Sequence, residues 1–176
     1  IDVAGNRFTD PVGNNNSAAT QFAWTYDNVV PTMAITSTTS GVTTGSTTND
    51  ATIALTFTSN EATSNFAVGD ISVSGGAISS FAATSSTVYT ATFTPSGAGA
   101  TTIDVNSSTF TDGAGNNNSA ATQFAWTYDN VVPTMTITST TSGVTTGSTT
   151  NDATIALTFT SSRATSTFAV GDITVT

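Results

Sequence analysis

Oxygen is the reactive element this chain offers in quantity: it carries 11 Asp and Glu, two basic residues (Arg7 and Arg163), and no His, Cys or Lys. Without imidazole, thiol or amine, nucleophile activation and most proton-shuttling schemes lack their usual parts. Carboxylates working as a pair can hydrolyse glycosides. Asp50, Asp70 and Asp104, however, which recur as Asp152, Asp172 and Asp2, fall at strand starts or within strands, apart from one another. No enzymatic function is expected. Carboxylates and side-chain amides can hold a hard cation unaided, because Ca²⁺ takes about six to eight oxygens in irregular geometry. The candidate ligands are Asp27 and Asn28, Glu61, Asp112 and Asn116, with Asp129 repeating Asp27 further along.

The same residues also suit a simple turn. Asp at the start of a turn accepts from its own backbone, Gly115 supplies a positive φ and Asn116 tolerates one, so Asp112 to Asn116 can form with no ion present. The two readings are compatible, since a ligand must sit in a defined turn. Asn15, Asn106 and Asn117 stand in Asn-x-Ser sequons, and Thr and Ser crowd residues 36–48, so glycosylation is chemically open if the host supplies it. Phe124, Trp126 and Tyr128 share one face of a single strand, with Trp24 as an earlier counterpart. Alternate aromatics on one strand face are expected to fill a sandwich core rather than to form a sugar-stacking platform.

The elements that must position these groups follow from a repeat. Asp27-Asn28-Val29-Val30-Pro31-Thr32-Met33 returns 102 positions later as Asp129 to Met135, and between 1–74 and 103–176 the residues are identical at 62 of 74 positions. One period reads as one folding unit. The chain is then expected to hold the end of one unit (1–26), a complete unit (27–128) and the start of a third (129–176), the two flanking pieces lacking strands needed to close a core.

Within the complete unit the apolar period is two. Ile53, Leu55 and Phe57 alternate with Ala and Thr, as do Tyr89, Ala91 and Phe93, then Ile103 and Val105, then Phe124, Trp126 and Tyr128. Shorter strands are expected at Met33 to Thr36, Asp70 to Val73 and Ile78 to Phe81. Turn clusters separate them at Gly41 to Asn49, Gly75-Gly76, Pro95 to Gly99 and Asp112 to Asn118. Seven short strands at this spacing predict a two-sheet β-sandwich. If the strands alternate up and down, the linker at 27–31 and the loops carrying Glu61 and Asp112 return to one pole, which is how the candidate ligands would converge.

The order Asp27-Asn28-x-x-Pro31-Thr32, then Leu55 to Ala62, Phe66-Ala-Val-Gly-Asp70-Ile71, Tyr89 to Pro95 and Phe110-Thr-Asp-Gly-Ala-Gly-Asn116 resembles the bacterial Ig-like repeats of giant surface adhesins. That resemblance implies an all-β architecture of tandem immunoglobulin-like β-sandwich repeats, about 102 residues each, strung head to tail outside the cell, with calcium near the junctions. One departure stands out: Arg163 occupies the place of Glu61 in the last unit. That puts a metal site there in doubt and suggests an ion pair with Asp129 or Asp112 instead.

Charge narrows the partners. A net charge of −9 with a pI near 4.1 repels phosphate backbones, so nucleic acid is excluded, and no stretch approaches the roughly 18 apolar residues of a membrane span. If the protein is secreted, its signal lies outside this stretch. The expected partners are neighbouring repeats of the same chain and other copies in a fibre. Function is expected to be mechanical, the alternative being an adhesive module for glycan or another surface ligand.

Overall fold

In the computed structural model, which describes residues 1–63 and 65–176, the period-two segments form two four-stranded sheets, a two-stranded sheet and no α-helix. The chain divides into two compact units, Ile1–Tyr128 and Asp129–Thr176.

In the first unit one sheet joins β1 (Met33–Ser37), β3 (Ile53–Ser59), β6 (Val88–Pro95) and β5 (Gly76–Ala83), in the order β1-β3-β6-β5, all antiparallel. The other joins β2 (Thr47–Thr48), β8 (Phe124–Tyr128), β7 (Gly99–Val105) and β4 (Ile71–Ser74), in the order β2-β8-β7-β4. The seven expected strands are present. An eighth, β2, is too short to show a period, and it lies parallel to β8. The seven alternate in direction as expected, but β3 hands over to β4 in the opposite sheet, where Ile71 and Val73 pair with Val105 and Ile103 of β7.

Alternation does the work of burial. Ile53, Leu55 and Phe57 of β3, Tyr89, Ala91 and Phe93 of β6, Ile103 and Val105 of β7, and Phe124 and Trp126 of β8 form one core. Thr faces water on the reverse sides, where its β-branch favours the extended chain and its hydroxyl keeps an almost uncharged surface wet. One buried threonine, Thr101, donates its Oγ1 to the Trp126 carbonyl at 2.8 Å, which satisfies it. Gly75 and Gly76 let the chain cross from β4 to β5. Gly75 has φ +73°, and a Cβ on Gly76 would fall 2.4 Å from the Phe93 ring and from the Thr94 carbonyl oxygen.

The pole that carries the site has its own aromatic floor. Phe66 sits edge-on to Tyr89 and Phe110, with ring centroids at 5.0 and 5.1 Å. Phe66 belongs to the loop after β3 and Phe110 to the loop after β7, so their contact binds the two ligand-bearing loops to the core. The Tyr89 hydroxyl adds a bond to the Thr63 carbonyl at 3.0 Å.

In residues 1–26 Thr9 and Asn15 form a β-bridge, and further backbone bonds join Asn6 to Asn16, Ala19 to Val3 and Phe22 to Ile1. In the second unit β9 (Met135–Ser139) and β10 (Leu157–Ser161) pair in the register of β1 and β3; Met135, Ile137 and Leu157 are exposed, and Phe159 is half-buried against Phe168.

Candidate metal centre

The linker enters the sandwich under several restraints. Asp27 Oδ1 accepts the Val29 amide at 3.0 Å, closing an Asx turn, and Pro31 is buried. The Thr32 amide donates to Asn60 Oδ1 at 2.6 Å, while the Asn60 amide returns a bond to the Thr32 carbonyl. Ser119 donates its amide to the Pro31 carbonyl at 2.9 Å. Asp27 is thereby held over the loop that begins at Asn60.

The second loop is a turn built by one carboxylate. Asp112 Oδ1 accepts the amides of Ala114, Gly115 and Asn116 at 2.8–2.9 Å, and Oδ2 accepts the Asn116 side-chain amide at 2.8 Å. Gly115 takes φ +95°, as the turn requires. A bridge between Thr63 and Asp112 then lays this turn beside the loop after β3. One carboxylate oxygen from each of Asp27, Glu61 and Asp112 lies within 4.8 Å of the others, in a surface depression also lined by Asn60, Ala62, Gly113 and Ala114.

The two loop carboxyls are tuned in opposite senses. The Asn116 side-chain amide, joined by backbone amides of the turn, holds Asp112 below the usual carboxylate range despite its burial. Burial first, and then the charges of Asp27 and Asp112, push Glu61 above its ordinary value. Ionising Glu61 therefore concentrates like charge at a place where, among the described residues, no Lys or Arg forms an ion pair. Three hard oxygen donors converge from linker and loops, one of them raised in pKa by burial and by its like-charged neighbours, and such a set could hold a divalent cation such as calcium.

Of the residues expected here, Asp27, Glu61 and Asp112 are brought together and the others play different parts. Asn116 turns its Nδ2 inward, toward Asp112 and the Asp27 carbonyl, and so positions the carboxylates rather than offering oxygen on that side. Asn28 is exposed beside Asp27 and its side chain makes no hydrogen bond among the described residues. Asp129 takes a cation from the chain itself: Arg163 Nη1 donates to its Oδ1 at 2.8 Å and to the Val131 carbonyl at 3.1 Å, while Nη2 pairs with Oδ2. Arg163 holds the Asp129 carboxyl below its usual range. Because Asp129 and Arg163 stand where Asp27 and Glu61 stand one period earlier, an arginine occupies the position that a cation would fill.

The remaining acids serve local structure. Asp50 accepts the Thr48 hydroxyl, Asp70 accepts the Ala67 amide at 2.8 Å, and Asp104 accepts the Gln123 amide at 2.9 and 3.0 Å. The sequon residues Asn15, Asn106 and Asn117 are all exposed. Trp126 is 3% exposed, inside the core.

Two residues escaped the sequence reading. Asn60 clamps the linker, and Asn118, 2% exposed, accepts the amides of Thr109 and Phe110 while donating to the carbonyls of Asn106 and Ser119, all at 2.8–3.0 Å. The signal available for Asn118 was the uninterrupted run Asn116-Asn117-Asn118, since an amide side chain both donates and accepts.

Residues 27–128 match the family model described as a bacterial Ig-like domain. No curated protein and no solved structure matches the chain.

Proposed function

The chain belongs to the bacterial Ig-like domain family, and from that premise we propose that it is a run of tandem structural repeats in an extracellular stalk or filament, adhesin-like, whose work is reach and stiffness. In this reading 1–26, 27–128 and 129–176 are the end, the whole and the start of successive repeats, each built mainly on contacts with its neighbours. The family and the absence, among the described residues, of any helix long and apolar enough to cross a membrane accord with a surface module.

The observation that carries the mechanical reading is the convergence of Asp27, a linker residue, with Glu61 and Asp112 on loops of the sandwich that follows. Calcium, when bound, supplies the positive charge these carboxylates lack. The chain supplies the rest: Asp112 is kept ionised by its turn, Asn116 fixes its orientation, and Asn60 and Ser119 hold the linker so that Asp27 faces the loops. Pro31 restricts Val30 before it, leaving Asp27 to Val29 as the stretch whose freedom a cation would remove. For the rival reading, a glycan-binding module, the strand face carrying Phe124, Trp126 and Tyr128 is buried rather than presented to solvent.

Extracellular modules hold calcium at about 0.1–1 mM, so a tenfold excess adds roughly 1.4 kcal/mol, or about 5–10 °C in the melting temperature of a unit this size. Melting curves and amide exchange across Asp27 to Val30, taken in millimolar calcium and again in chelator, measure both effects. A linker exchanging equally fast in the two conditions removes calcium from the proposal and leaves the structural repeat.

A further inference from the structure

Tension drawn between the entry and the exit of the complete sandwich falls on its two terminal strands, β1 and β8, which are held unequally. β1 starts level with Ser59, at the end of the sandwich where Thr58 pairs with Val88. β6 runs from there to Pro95 and hands over to β7 at Gly99, so Gly99 and its partner Tyr128 lie at the opposite end. The chain therefore enters at one end and leaves at the other, with β1 and β8 along the line between. A load in that direction draws on all the rungs of a ladder together rather than opening them one by one.

β1 is an edge strand, paired on one side only, to β3, and it contributes Met33 and Ile35 to the core. Its flanks add the exchange between Thr32 and Asn60, the Ser119 bond to the Pro31 carbonyl and the Thr38 bond to the Ala54 carbonyl. β8 lies between β2 and β7, bonded on both sides, and it contributes Phe124 and Trp126. Between these two strands the chain is anchored a second time. Val42 is 2% exposed in a stretch, 38–48, that is otherwise Ser, Thr and Gly. Just beyond it the Gly45 amide donates to the Ala125 carbonyl at 2.8 Å, and the Thr127 amide donates to the Ser46 carbonyl at 2.9 Å. Because β2 runs parallel to β8, a load that has stripped β1 passes to these bonds and again acts along the strands.

We infer that the complete sandwich yields to tension in two stages: the chain up to Gly41 comes away with β1, and Val42 with the β2–β8 pairing then arrests the release. The core left behind keeps β3, β6, β7 and β8 with their buried side chains, so it remains a template to which β1 returns when the load falls. Freeing the chain as far as Val42 adds at most about 50 Å. The repeat is then a short reversible spring before any of the main core is lost. This inference rests on the stalk reading, which is what places a load between entry and exit, and it needs no cation.

Single-molecule pulling of the full chain in chelator tests it. The chain has no cysteine, so Val29→Cys and Val131→Cys, both at exposed positions, place handles that load the complete sandwich. The expected record is a reversible step of at most about 50 Å, followed at higher force by one step of roughly 300 Å. Ile35→Ala is expected to speed the short step at a given force by about tenfold or more while leaving the long step unchanged. Val42→Ala is expected to speed the long step and not the short one. The two step lengths in the chain with handles alone test the inference by themselves should either substitution prevent folding. A single cooperative step there overturns the inference and leaves the stalk reading in place, as does a short step that Ile35→Ala does not alter. A sandwich that extends without a resisting force overturns both.

Discussion

At Asp112 a single side chain converts a flexible Gly-rich segment into a fixed ligand. Its Oδ1 gathers three amides, leaving Oδ2, steadied by Asn116, toward Glu61. The opposed tuning of the two carboxyls sets the sign of a pH response. Glu61, with its folded pKa raised, favours the folded state when protonated, so that contribution is lost as pH rises from its ordinary value near 4.5 through the raised one. Asp112, with its folded pKa lowered, contributes stability above about 3.8 that is lost as pH falls further. Denaturation of the chelated protein across pH 4–8 is therefore expected to show Glu61→Gln more stable than wild type toward neutrality. The same variant should lose the response to calcium. Asn118 makes a separate prediction: Asn118→Ala orphans two amides and two carbonyls at a buried site and costs about 2–4 kcal/mol in urea unfolding.

Among the elements, the β4 to β5 crossing depends on two glycines packed against the opposite strands, whereas the Gly115 turn needs glycine only for its positive φ. Gly75 and Gly76 pass so close to Thr101, Phe93 and Thr94 that no side chain fits, and the β4 to β5 crossing aligns both sheets over the core. Gly76→Ala must displace the Phe93 ring or open the β5–β6 ladder. It is expected to lower stability by about 2 kcal/mol or more, read as a shift in denaturation midpoint with little change in slope. Gly113, whose added Cβ would meet nothing within 4 Å, serves as the control, and Gly113→Ala should be near neutral by comparison. The loops of the site are in turn held from beneath: Phe66 and Phe110 rise from the two ligand loops into the core, so ligand placement is coupled to aromatic packing.

For the whole molecule the chain offers its own comparison between two ways of neutralising a linker carboxylate. Asp27 faces Glu61 and Asp112, whereas Asp129 faces Arg163, which stands at the position equivalent to Glu61. An exposed ion pair contributes at most about 1 kcal/mol, comparable to what a millimolar-affinity cation adds at tenfold excess. Glu61→Arg is thus expected to keep the 27–31 linker ordered, with amide exchange there as slow in chelator as in calcium. Faster exchange in the variant under both conditions would show that the arginine does not substitute for the cation.

How much of this was legible beforehand depended on range. The alternation in Ile53 to Thr58 and Phe124 to Tyr128 sufficed for the strands, because burying every second side chain is a local consequence of the pleat. The repeat of Asp27 to Met33 at Asp129 marked the period, and the acids that could share a cation were identifiable because nothing else in the chain offers comparable chemistry. The sequence could not say which way Asn116 turns its amide, that Asn60 clasps Thr32, that the two-residue β2 pairs parallel to β8, or that β3 passes to the opposite sheet. Those outcomes are set by contacts between segments tens of residues apart, where hydrogen-bond geometry and packing choose among conformations that local residue preference leaves equal. Which groups are available follows from the residues alone; which of them face one another is decided only by the tertiary structure.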